Sequence, residues 1–408
     1  MADVCHFHSD FRLQLRISFM KLIIAVLFMV LLPGLFLPVK SQVRCGAERT
    51  ELYLPLLKNK SIAVVANPCS TIGSVNLVDS LLRNEVNVAR IFCPEHGFRN
   101  YADAGKTIKN SIDSATRIPV VSLYGKKKKP DPEDLNDVDL VLFDLQDVGV
   151  RFFTYLSTLS YVMEACSENR IPLMILDRPN PNGFYVDGPV MDSTCFSFVG
   201  LHPVPVIYGM TIGEYAQMVN EEGWLKNGMI CELQVIKLEN YTHRTRYQLP
   251  RSPSPNLRDM NAVYLYPSLC FFEGTIVSIG RGTSSPFELF GHPSMKGMNF
   301  SFTPKAADNA SVIPPCNGQS CFGLDLHKAY AENPGLMGKI NLSWLIMAYK
   351  NMGSDPKFFT GFFDKLAGNS KLRQQVINGI PESEIRKSWE EKLVQFREIR
   401  VKHLLYPD

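Results

Sequence analysis

The chain has 408 residues, of which 45% are hydrophobic and 20% are charged, and its formal net charge is +3. These values are typical of globular proteins and exclude disordered, collagen-like and coiled-coil chains. The small net charge gives no electrostatic signature of nucleic-acid binding. The length predicts two or three domains with a sizeable buried core.

The N-terminal region contains one apolar block, residues 22–37, which follows a lysine. A basic residue, a short apolar core and then small residues are typical of a secretory signal, here with cleavage after Ser41. A membrane-spanning helix would need about 20 apolar residues, whereas Pro33 interrupts this block and Pro38 follows it directly. We therefore predict a signal peptide in residues 1–41 and an exported protein, periplasmic or secreted, with no stable membrane insertion after cleavage. Met20 is then the expected first residue of the translated protein, and residues 1–19 would be an extension assigned to the sequence in error.

Cysteine usage is unusual for an exported chain, because nine cysteines follow residue 41 and an odd number cannot all pair. Cys316 and Cys321 have a spacing that suits a local disulfide bridge. Most other cysteines lie in or beside apolar runs, as is typical of small core residues. No cysteine pair has zinc-site spacing and the histidines are scattered, so the sequence predicts no metal and no cofactor.

Five short apolar runs in the first half predict β-strands that are buried on both faces. They span residues 62–66, 88–92, 119–123, 140–143 and 173–176. Helical patterns lie between them, for example over residues 75–83 and 157–168. This alternation predicts an α/β fold, a Rossmann-like parallel sheet with helices on both faces.

Further elements are predicted towards the C-terminus. Thr211 and Glu214 fit a capping box, which marks the start of a helix that Gly223 would end. A strand is predicted over residues 233–238. The last helix is predicted over residues 383–405, because apolar residues recur there along one helical face.

A proline-rich stretch at residues 249–256 interrupts the pattern of buried strands. We take it as the boundary between a Rossmann-like domain over residues 42–255 and a smaller α+β domain over residues 256–408.

Polar side chains follow the predicted strands, at the end where open α/β sheets bind ligands. They are Asn67; Glu95, His96 and Arg99; Tyr124; Asp144, Gln146, Asp147 and Arg151; and Asp177, Arg178 and Asn180. Because the carboxyl ends of parallel strands meet at one edge of a sheet, we expect these side chains to converge on a polar site.

Glu95 is the strongest catalytic candidate in this set. Pro94 restricts the backbone of the residue before it, and Gly97 permits a sharp turn after it. His96 would either orient the Glu95 carboxylate or be a hydrogen-bonded loop residue. The structural alternative for Glu95 is a helix N-cap or an ion pair with Arg99.

Asp144 and Asp147 are the candidates for a second catalytic carboxylate. Alternatively, one of them pairs with Arg151 and holds the loop in place. For Arg178 we favour a structural role. Tyr155 either reaches the cleft or packs on the sheet.

Several common enzyme motifs are missing from the sequence. No G-x-S-x-G elbow, P-loop or H-E-x-x-H is present. The first predicted strand is not followed by G-x-G-x-x-G, which argues against a dinucleotide site.

Longer motifs occur in a specific order along the chain. They are CPEHGFR at 93–99, FDLQDVGVRFFTY at 143–155, LDRPNP at 176–181, SPN at 254–256, FEGT at 272–275 and GRGTSSPFELFG at 280–291. From about residue 62 to its end, the chain resembles the bacterial exo-β-N-acetylmuramidase family of the NamZ type. One position departs from the pattern, since Asn100 stands where a glycine is expected, and asparagine tolerates the left-handed backbone of a turn.

The resemblance implies a cofactor-free secreted glycosidase that removes N-acetylmuramic acid from the non-reducing ends of peptidoglycan fragments. It also implies a cleft between a Rossmann-like domain and an auxiliary domain. The family's proposed catalytic glutamate lies in the PEHGF motif and carries over onto Glu95. Candidates for the second carboxylate are Asp144, Asp147, Asp177 and Glu273, and the acetamido group of the substrate is an alternative.

The implied partners are peptidoglycan-derived muramyl oligosaccharides, which carry a lactyl carboxylate. Arg151, Arg178 or Arg281 would bind that group, because a guanidinium matches a carboxylate. The other predicted contacts are Asn67, His96, Arg99, Gln146, Tyr155, Asp177, Asn180, Asn256 and Glu273. Two alternatives stay open: a non-catalytic muropeptide-binding protein of the cell envelope, and another hydrolase such as an amidase or deacetylase.

Overall fold

A computed structural model of the chain describes residues 19–21, 42–102, 106, 108–306 and 313–408. The predicted signal segment, residues 1–41, lies outside the described residues except for 19–21, which are helical. Residues Val43–Asp408 form one compact unit. In the described part of the chain, no helix has the length and apolar character needed to cross a membrane.

The strands are named in chain order. They are β1 (Ser61–Ala66), β2 (Thr71–Ile72), β3 (Val75–Asn76), β4 (Asn87–Cys93), β5 (Ser111–Ile112), β6 (Pro119–Ser122), β7 (Leu140–Asp144), β8 (Leu173–Leu176), β9 (Leu233–Ile236), β10 (Leu289–His292), β11 (Phe300–Phe302) and β12 (Cys321–Asp325). Each of the five predicted apolar runs therefore corresponds to a strand of the structure.

The α-helices are named in the same way. They are α1 (Thr50–Leu57), α2 (Leu77–Arg83), α3 (Tyr155–Asn169), α4 (Ile212–Glu221), α5 (Met260–Leu269), α6 (Ala329–Glu332), α7 (Ser343–Asn351), α8 (Phe363–Ala367), α9 (Lys371–Ile377) and α10 (Glu382–Arg400). In the first half they alternate with strands, as the sequence predicts.

The main sheet has the order β5-β6-β4-β1-β7-β8-β9, and β2 pairs with β3 in a separate ribbon. Every neighbouring pair in the main sheet is parallel except β5 with β6. The strand order reverses at β1, because β4 and β6 lie on one side of it and β7 to β9 on the other. The predicted α/β, Rossmann-like fold is confirmed. The reversal places a ligand-binding crevice beyond the carboxyl ends of β1 and β7.

Both faces of the main sheet are covered by helices, as predicted. On β1, Ile62 and Val64 belong to the apolar core that includes residues of α1 and α2. The alternate residues, Ala63 and Val65, belong to a second core with residues of α3 and α4. This alternation follows from the two-residue side-chain period of a strand.

The C-terminal half contains the antiparallel sheet β10-β12-β11 and helices α5 to α10. On α10, Ile385, Trp389, Leu393 and Phe396 are buried along one face, as their spacing predicts. These side chains belong to the same apolar core as Val65 of the parallel sheet. The C-terminal half therefore packs on one face of the main sheet through a continuous core.

Helix α4 begins where the capping box predicts. The Thr211 hydroxyl accepts a hydrogen bond from the Glu214 amide at 3.2 Å, and the Glu214 carboxylate accepts one from the Thr211 amide at 2.8 Å. Gly223 follows the helix in the left-handed region, with φ of +66°. These contacts satisfy amide groups that a helix leaves free in its first turn.

Three predicted helices differ from the structure at their ends, and the one predicted over 157–168 spans Tyr155–Asn169. The predicted helix over 75–83 begins later, at Leu77, because the two residues before it form β3 and Asn76 caps the first turn. The last helix, predicted over 383–405, ends at Arg400 and continues as a short 3-10 turn. Apolar spacing locates the buried face of a helix better than it locates the ends.

Candidate active site

A cavity of about 470 Å³ lies beside the residues that follow β4, β6 and β7. Its volume is in the range of ligand-binding pockets. Residues of both halves line it, among them Glu95, His96, Tyr124, Phe152, Phe153, Thr154, Tyr155 and Phe198 from the first half and Asn256, Tyr266, Glu273, Arg281, Phe287 and Phe362 from the second. The predicted site residues that reach the cavity are therefore Glu95, His96, Tyr155, Asn256, Glu273 and Arg281.

A depression of about 630 Å³ lies elsewhere, between residues of α7 and the start of α10. It is more open to solvent, and none of the polar residues that follow the parallel strands lines it. The site with the chemical groups expected of an enzyme is the smaller cavity.

Glu95 enters the cavity from a sharp turn after β4. His96 and Gly97 adopt left-handed backbone angles, with φ of +75° and +87°, and the Gly97 amide donates to the Pro94 carbonyl at 3.2 Å. The Glu95 side chain is half-buried. The Thr154 hydroxyl donates a hydrogen bond to its Oε2 atom at 3.3 Å.

Tyr124, which follows β6, is a second neighbour of Glu95. Burial raises the pKa of the Tyr124 phenol, and the charge of Glu95 and a hydrogen bond between the two side chains raise it further. The phenol therefore stays protonated at neutral pH and can donate to the carboxylate. Two hydroxyl groups, from Thr154 and Tyr124, thus contact Glu95.

Two other residues of the Glu95 loop have contacts of their own. Arg99 pairs with Asp79 and Asp113, at 2.7 and 2.6 Å. The Nδ1 atom of His96 is 2.9 Å from the Ala102 carbonyl, which fixes the ring within its own loop. Arg99 is therefore a structural residue of this loop, and His96 lines the cavity from a fixed position.

Glu273 and Arg281, both from the C-terminal half, form a charged pair in the wall of the cavity. The Arg281 Nη2 atom contacts the Glu273 carboxylate, and the two side chains are 29% and 21% exposed. Burial would lower the pKa of Arg281, but the neighbouring carboxylates, Glu273 first and Glu95 more weakly, raise it. Arg281 therefore keeps its positive charge within the cavity wall.

Aromatic rings form much of the remaining wall. Phe153 and Tyr155 are in edge contact at 4.6 Å between ring centroids, and Tyr266 contacts Phe287 at 5.0 Å. Phe152 packs against Tyr266 at 5.8 Å. Rings packed edge to face are held rigidly, and their apolar faces suit stacking against a sugar ring.

Asn67, predicted as a substrate contact, supports the wall from behind. It follows β1, is fully buried, and donates through Nδ2 to the Tyr155 hydroxyl at 2.9 Å. Its Oδ1 atom accepts the Cys69 amide at 2.9 Å. Asn67 therefore positions Tyr155 and does not itself line the cavity.

Asp144, predicted as catalytic, does not line the cavity. Its carboxylate forms a two-point ion pair with Arg178, at 2.5 and 2.9 Å, and both side chains are buried. Arg178 also donates to the Thr71 carbonyl at 3.0 Å. The pair ties the end of β7 to the loop after β8, so that neither Asp144 nor Arg178 is available to a ligand.

Asp147, the other predicted catalytic aspartate, is also buried outside the cavity. It accepts a hydrogen bond from the Gly149 amide at 2.6 Å and another from the Tyr208 hydroxyl. Burial raises the pKa of Asp147 to about 6, although these hydrogen bonds act in the other direction. Gln146 beside it donates to the carbonyls of Asp147 and Pro179, both at 2.8 Å. These side chains hold the loop after β7.

The remaining predicted residues also hold backbone segments together. Arg151 donates to three carbonyls, those of Pro189, Val204 and Leu366, at 2.7 to 2.8 Å. Asp177 accepts hydrogen bonds from the Thr211 and Tyr406 hydroxyls and from the Arg178 and Gly213 amides. Asn180 donates a hydrogen bond to the Met210 carbonyl. The polar groups after the strands thus divide between the cavity and the scaffold beneath it.

Sequence reasoning missed Thr154, which contacts Glu95, and the aromatic wall residues Tyr266 and Phe287. Thr154 adjoins Tyr155 in a motif already singled out, whereas no spacing signal places the second-half aromatics in the cavity. Within the described residues, no group of three or more His, Cys, Asp or Glu side chains is placed to hold a metal ion.

Comparison with known proteins decides the family. The model described as exo-β-N-acetylmuramidase NamZ, N-terminal, matches residues 62–261, and the corresponding C-terminal model matches residues 264–406. The chain belongs to the NamZ family. A curated member, the peptidoglycan β-N-acetylmuramidase NamZ of Bacillus subtilis (strain 168), is 39% identical over 379 residues, which cover 87% of this chain and 89% of that protein.

Two crystal structures have a similar fold, both of DUF1343 family proteins from Bacteroides fragilis NCTC 9343. One is 45% identical with a TM-score of 0.83 and covers 90% of this chain and 100% of that chain. The other is 26% identical with a TM-score of 0.75 and covers 89% and 99%. The predicted resemblance to the NamZ family is therefore confirmed over both halves of the chain.

Proposed function

We propose that this protein is an exo-β-N-acetylmuramidase that releases N-acetylmuramic acid from the non-reducing ends of peptidoglycan fragments. One observation carries the proposal: in a NamZ family chain, Glu95 and Glu273 share a cavity beside the carboxyl ends of the parallel strands. Glycosidases commonly use two carboxyl groups that flank the glycosidic bond.

Glu95 is the general acid in this proposal. Its carboxyl group protonates the leaving glycosidic oxygen as the C1–O bond breaks and positive charge develops on the sugar ring. A water molecule then bonds to C1 and gives up a proton, which returns Glu95 to its acid form. The hydroxyls of Thr154 and Tyr124 contact the carboxyl group and hold it in place. The left-handed turn at His96 and Gly97 directs it into the cavity.

Glu273 supplies the second negative charge of the site. Asp144, Asp147 and Asp177 are buried away from the cavity, and among the described residues that line it the carboxylates are Glu95 and Glu273. A fixed negative charge in a partly enclosed cavity stabilises an oxocarbenium-like transition state more strongly than it would in water. The aromatic wall reduces the access of water and provides a stacking surface for the sugar.

We also propose that the protein works outside the cytoplasm, since peptidoglycan fragments are its substrate and the N-terminal pattern is that of a signal peptide. N-terminal sequencing of the protein recovered from its native cells tests this. Cleavage after Ser41 should leave Gln42 as the first residue. A chain that retains residues 20–41 would contradict export by this signal.

Product analysis tests the activity. The protein is incubated with a defined oligosaccharide that has N-acetylmuramic acid at its non-reducing end, and products are identified by mass spectrometry. We expect free N-acetylmuramic acid and a shortened oligosaccharide, and release at least about 10²-fold slower with Glu95→Gln. Internal cleavage, or release of acetate or peptide from a peptide-bearing fragment, would contradict the proposal. Binding without any product would identify a muropeptide-binding protein instead.

A further inference from the structure

To distinguish N-acetylmuramic acid from N-acetylglucosamine, a muramidase must recognise a group that only N-acetylmuramic acid carries. N-acetylmuramic acid carries a lactyl ether on O3, and this ether ends in a carboxylate. Moving an ionised carboxylate from water into a partly enclosed cavity is costly unless a cation or hydrogen-bond donors meet it there. An arginine meets a carboxylate most favourably, because its planar guanidinium presents parallel donors.

Arg281 is the arginine placed to do this. It is the sole arginine or lysine among the described residues that line the cavity. The other predicted arginines are occupied in the scaffold: Arg178 by Asp144, Arg151 by three carbonyls, and Arg99 by Asp79 and Asp113. The structure therefore reduces the set of arginines suggested by the sequence to one.

The guanidinium of Arg281 is held but not saturated. The Nη2 atom contacts Glu273, and the carbon of the guanidinium lies 5.6 Å from the centroid of the Phe287 ring. Within the described part of the chain, its Nε atom is buried without a hydrogen-bond partner. An arginine has five N–H donors, so that one carboxylate contact leaves donors for a second.

The backbone around Arg281 is also fixed. Gly280 and Gly282 both have left-handed angles, with φ of +76° and +82°. A Cβ atom at Gly280 would lie 2.7 Å from the Ser285 carbonyl oxygen, and one at Gly282 would lie 2.8 Å from that of Lys305. The loop is therefore closely packed on both sides of the arginine, which keeps the guanidinium in one place before the ligand arrives.

We propose that Arg281 binds the lactyl carboxylate of N-acetylmuramic acid, and that Glu273 positions Arg281 for this contact. The inference rests on the proposed muramidase function and names the residue that selects muramic acid over glucosamine. Glu273 and the lactyl carboxylate share one guanidinium, which bridges the two negative charges.

The test compares two substrates that differ by the charge alone. One is a chromogenic N-acetyl-β-muramide, and the other is the same compound with its lactyl carboxyl group converted to the neutral amide. We expect wild-type protein to favour the acid in kcat/KM by about 10- to 100-fold, as for a charge-assisted hydrogen-bonded pair. In Arg281→Gln the preference should fall to about equal, because the lost contact serves the acid substrate and not the amide. Any effect of the substitution on Glu273 falls on both substrates and leaves their ratio unchanged.

Two further variants serve as controls. Arg281→Lys keeps the positive charge but lacks the parallel N–H donors of a guanidinium. Its preference for the acid substrate should therefore lie between those of Arg281→Gln and wild type. Arg397→Gln removes an exposed arginine that pairs with Glu390 on α10, and it should leave the preference unchanged. Thermal unfolding shows whether each variant is folded.

The two proposals fail in different ways. Equal losses on acid and amide in a folded Arg281→Gln would overturn the role of Arg281 and leave the muramidase function intact. If wild-type protein hydrolyses neither substrate, the muramidase function fails. Calorimetric binding of N-acetylmuramic acid and its amide then tests Arg281 directly, and equal affinities for the two in wild-type protein would overturn its role.

Discussion

Individual side chains at the strand ends have two distinct tasks. Glu95 follows β4, is half-buried and faces the cavity, whereas Asp144 ends β7 and is fully buried against Arg178. Both are acids at equivalent places in the sequence pattern. What separates them is a nearby arginine that lies 34 residues further along the chain, which strand spacing alone does not reveal.

Asp147 shows how burial changes a single carboxyl group and gives a prediction about pH. Burial raises its pKa to about 6, whereas an aspartate in an unfolded chain titrates near 3.9. The folded state therefore binds the proton more tightly. The stability from this group is complete below about pH 4 and is lost as the pH rises through about 6.

We expect Asp147→Asn to reduce this loss. Between pH 4 and pH 7, the free energy of unfolding of the variant should fall by roughly 1–3 kcal/mol less than that of wild type. Urea unfolding at several pH values measures it. An unchanged slope in Asp147→Asn would contradict the raised pKa.

Among secondary-structure elements, the strands are the best predicted from sequence. Runs that are apolar on both faces can be buried only in a sheet covered on both sides, so that their composition alone identifies them. Helix ends are less well determined: α2 starts at Leu77 because β3 forms from the two residues before it. That pairing with β2 depends on the fold and not on local spacing.

The site follows the same division. Glu95 and its turn were predictable, because proline and glycine fix the backbone locally. The contacts from Thr154 and Tyr266 were not, because α3 and α5 meet at the cavity only through long-range packing. Asp144 and Asp147, at and after the end of β7, were predicted to be catalytic. Nothing in the sequence distinguishes a buried carboxylate that holds a loop from a catalytic one.

The ion pair of Asp144 and Arg178 joins two elements and gives a prediction about stability. Arg178→Met leaves a buried carboxylate without its partner, which costs roughly 3–5 kcal/mol. The double variant Asp144→Leu/Arg178→Met should recover part of that loss. Chemical denaturation gives the free energy of unfolding of the single and the double variant.

A half-exposed pair supplies the matched control. Arg373 pairs with Asp364 at 2.8 Å and is 33% exposed, so that Arg373→Met should cost less than about 1 kcal/mol. If Arg178→Met were no more costly than Arg373→Met, the scaffold role assigned to Asp144 would be wrong.

At the scale of the whole molecule, the C-terminus is bound into the first half. The Tyr406 hydroxyl donates to Asp177 at 2.6 Å, and the amides of Leu405 and Tyr406 donate to Glu214 at 2.7 and 3.2 Å. Asp177 follows β8 and Glu214 lies on α4. One apolar core also runs from the parallel sheet to α10.

These contacts predict that the two halves unfold together. Trp224 reports on the first half and Trp389 on the second, so that fluorescence and circular dichroism should give one coincident transition in urea. Tyr406→Phe should keep the single transition and lower the free energy of unfolding by about 1–3 kcal/mol, since buried Asp177 loses a donor. Two separated transitions in wild-type protein would contradict this coupling.

The central claim is that Glu95 protonates the leaving group in a cavity shared by both halves. One measurement tests it most directly: kcat/KM of wild type and Glu95→Gln on two muramides with different leaving groups. The natural leaving group, an N-acetylglucosamine hydroxyl, needs a proton from the enzyme, whereas nitrophenolate leaves without one.

We expect Glu95→Gln to lose about 10²- to 10⁴-fold on the muramyl-glucosamine disaccharide and far less on the nitrophenyl muramide, because general acid catalysis accounts for a factor of that size. Binding of N-acetylmuramic acid should persist in the variant. Equal losses on both substrates would contradict the role of Glu95 as the acid. Full activity on the disaccharide would contradict the assignment of this cavity as the active site.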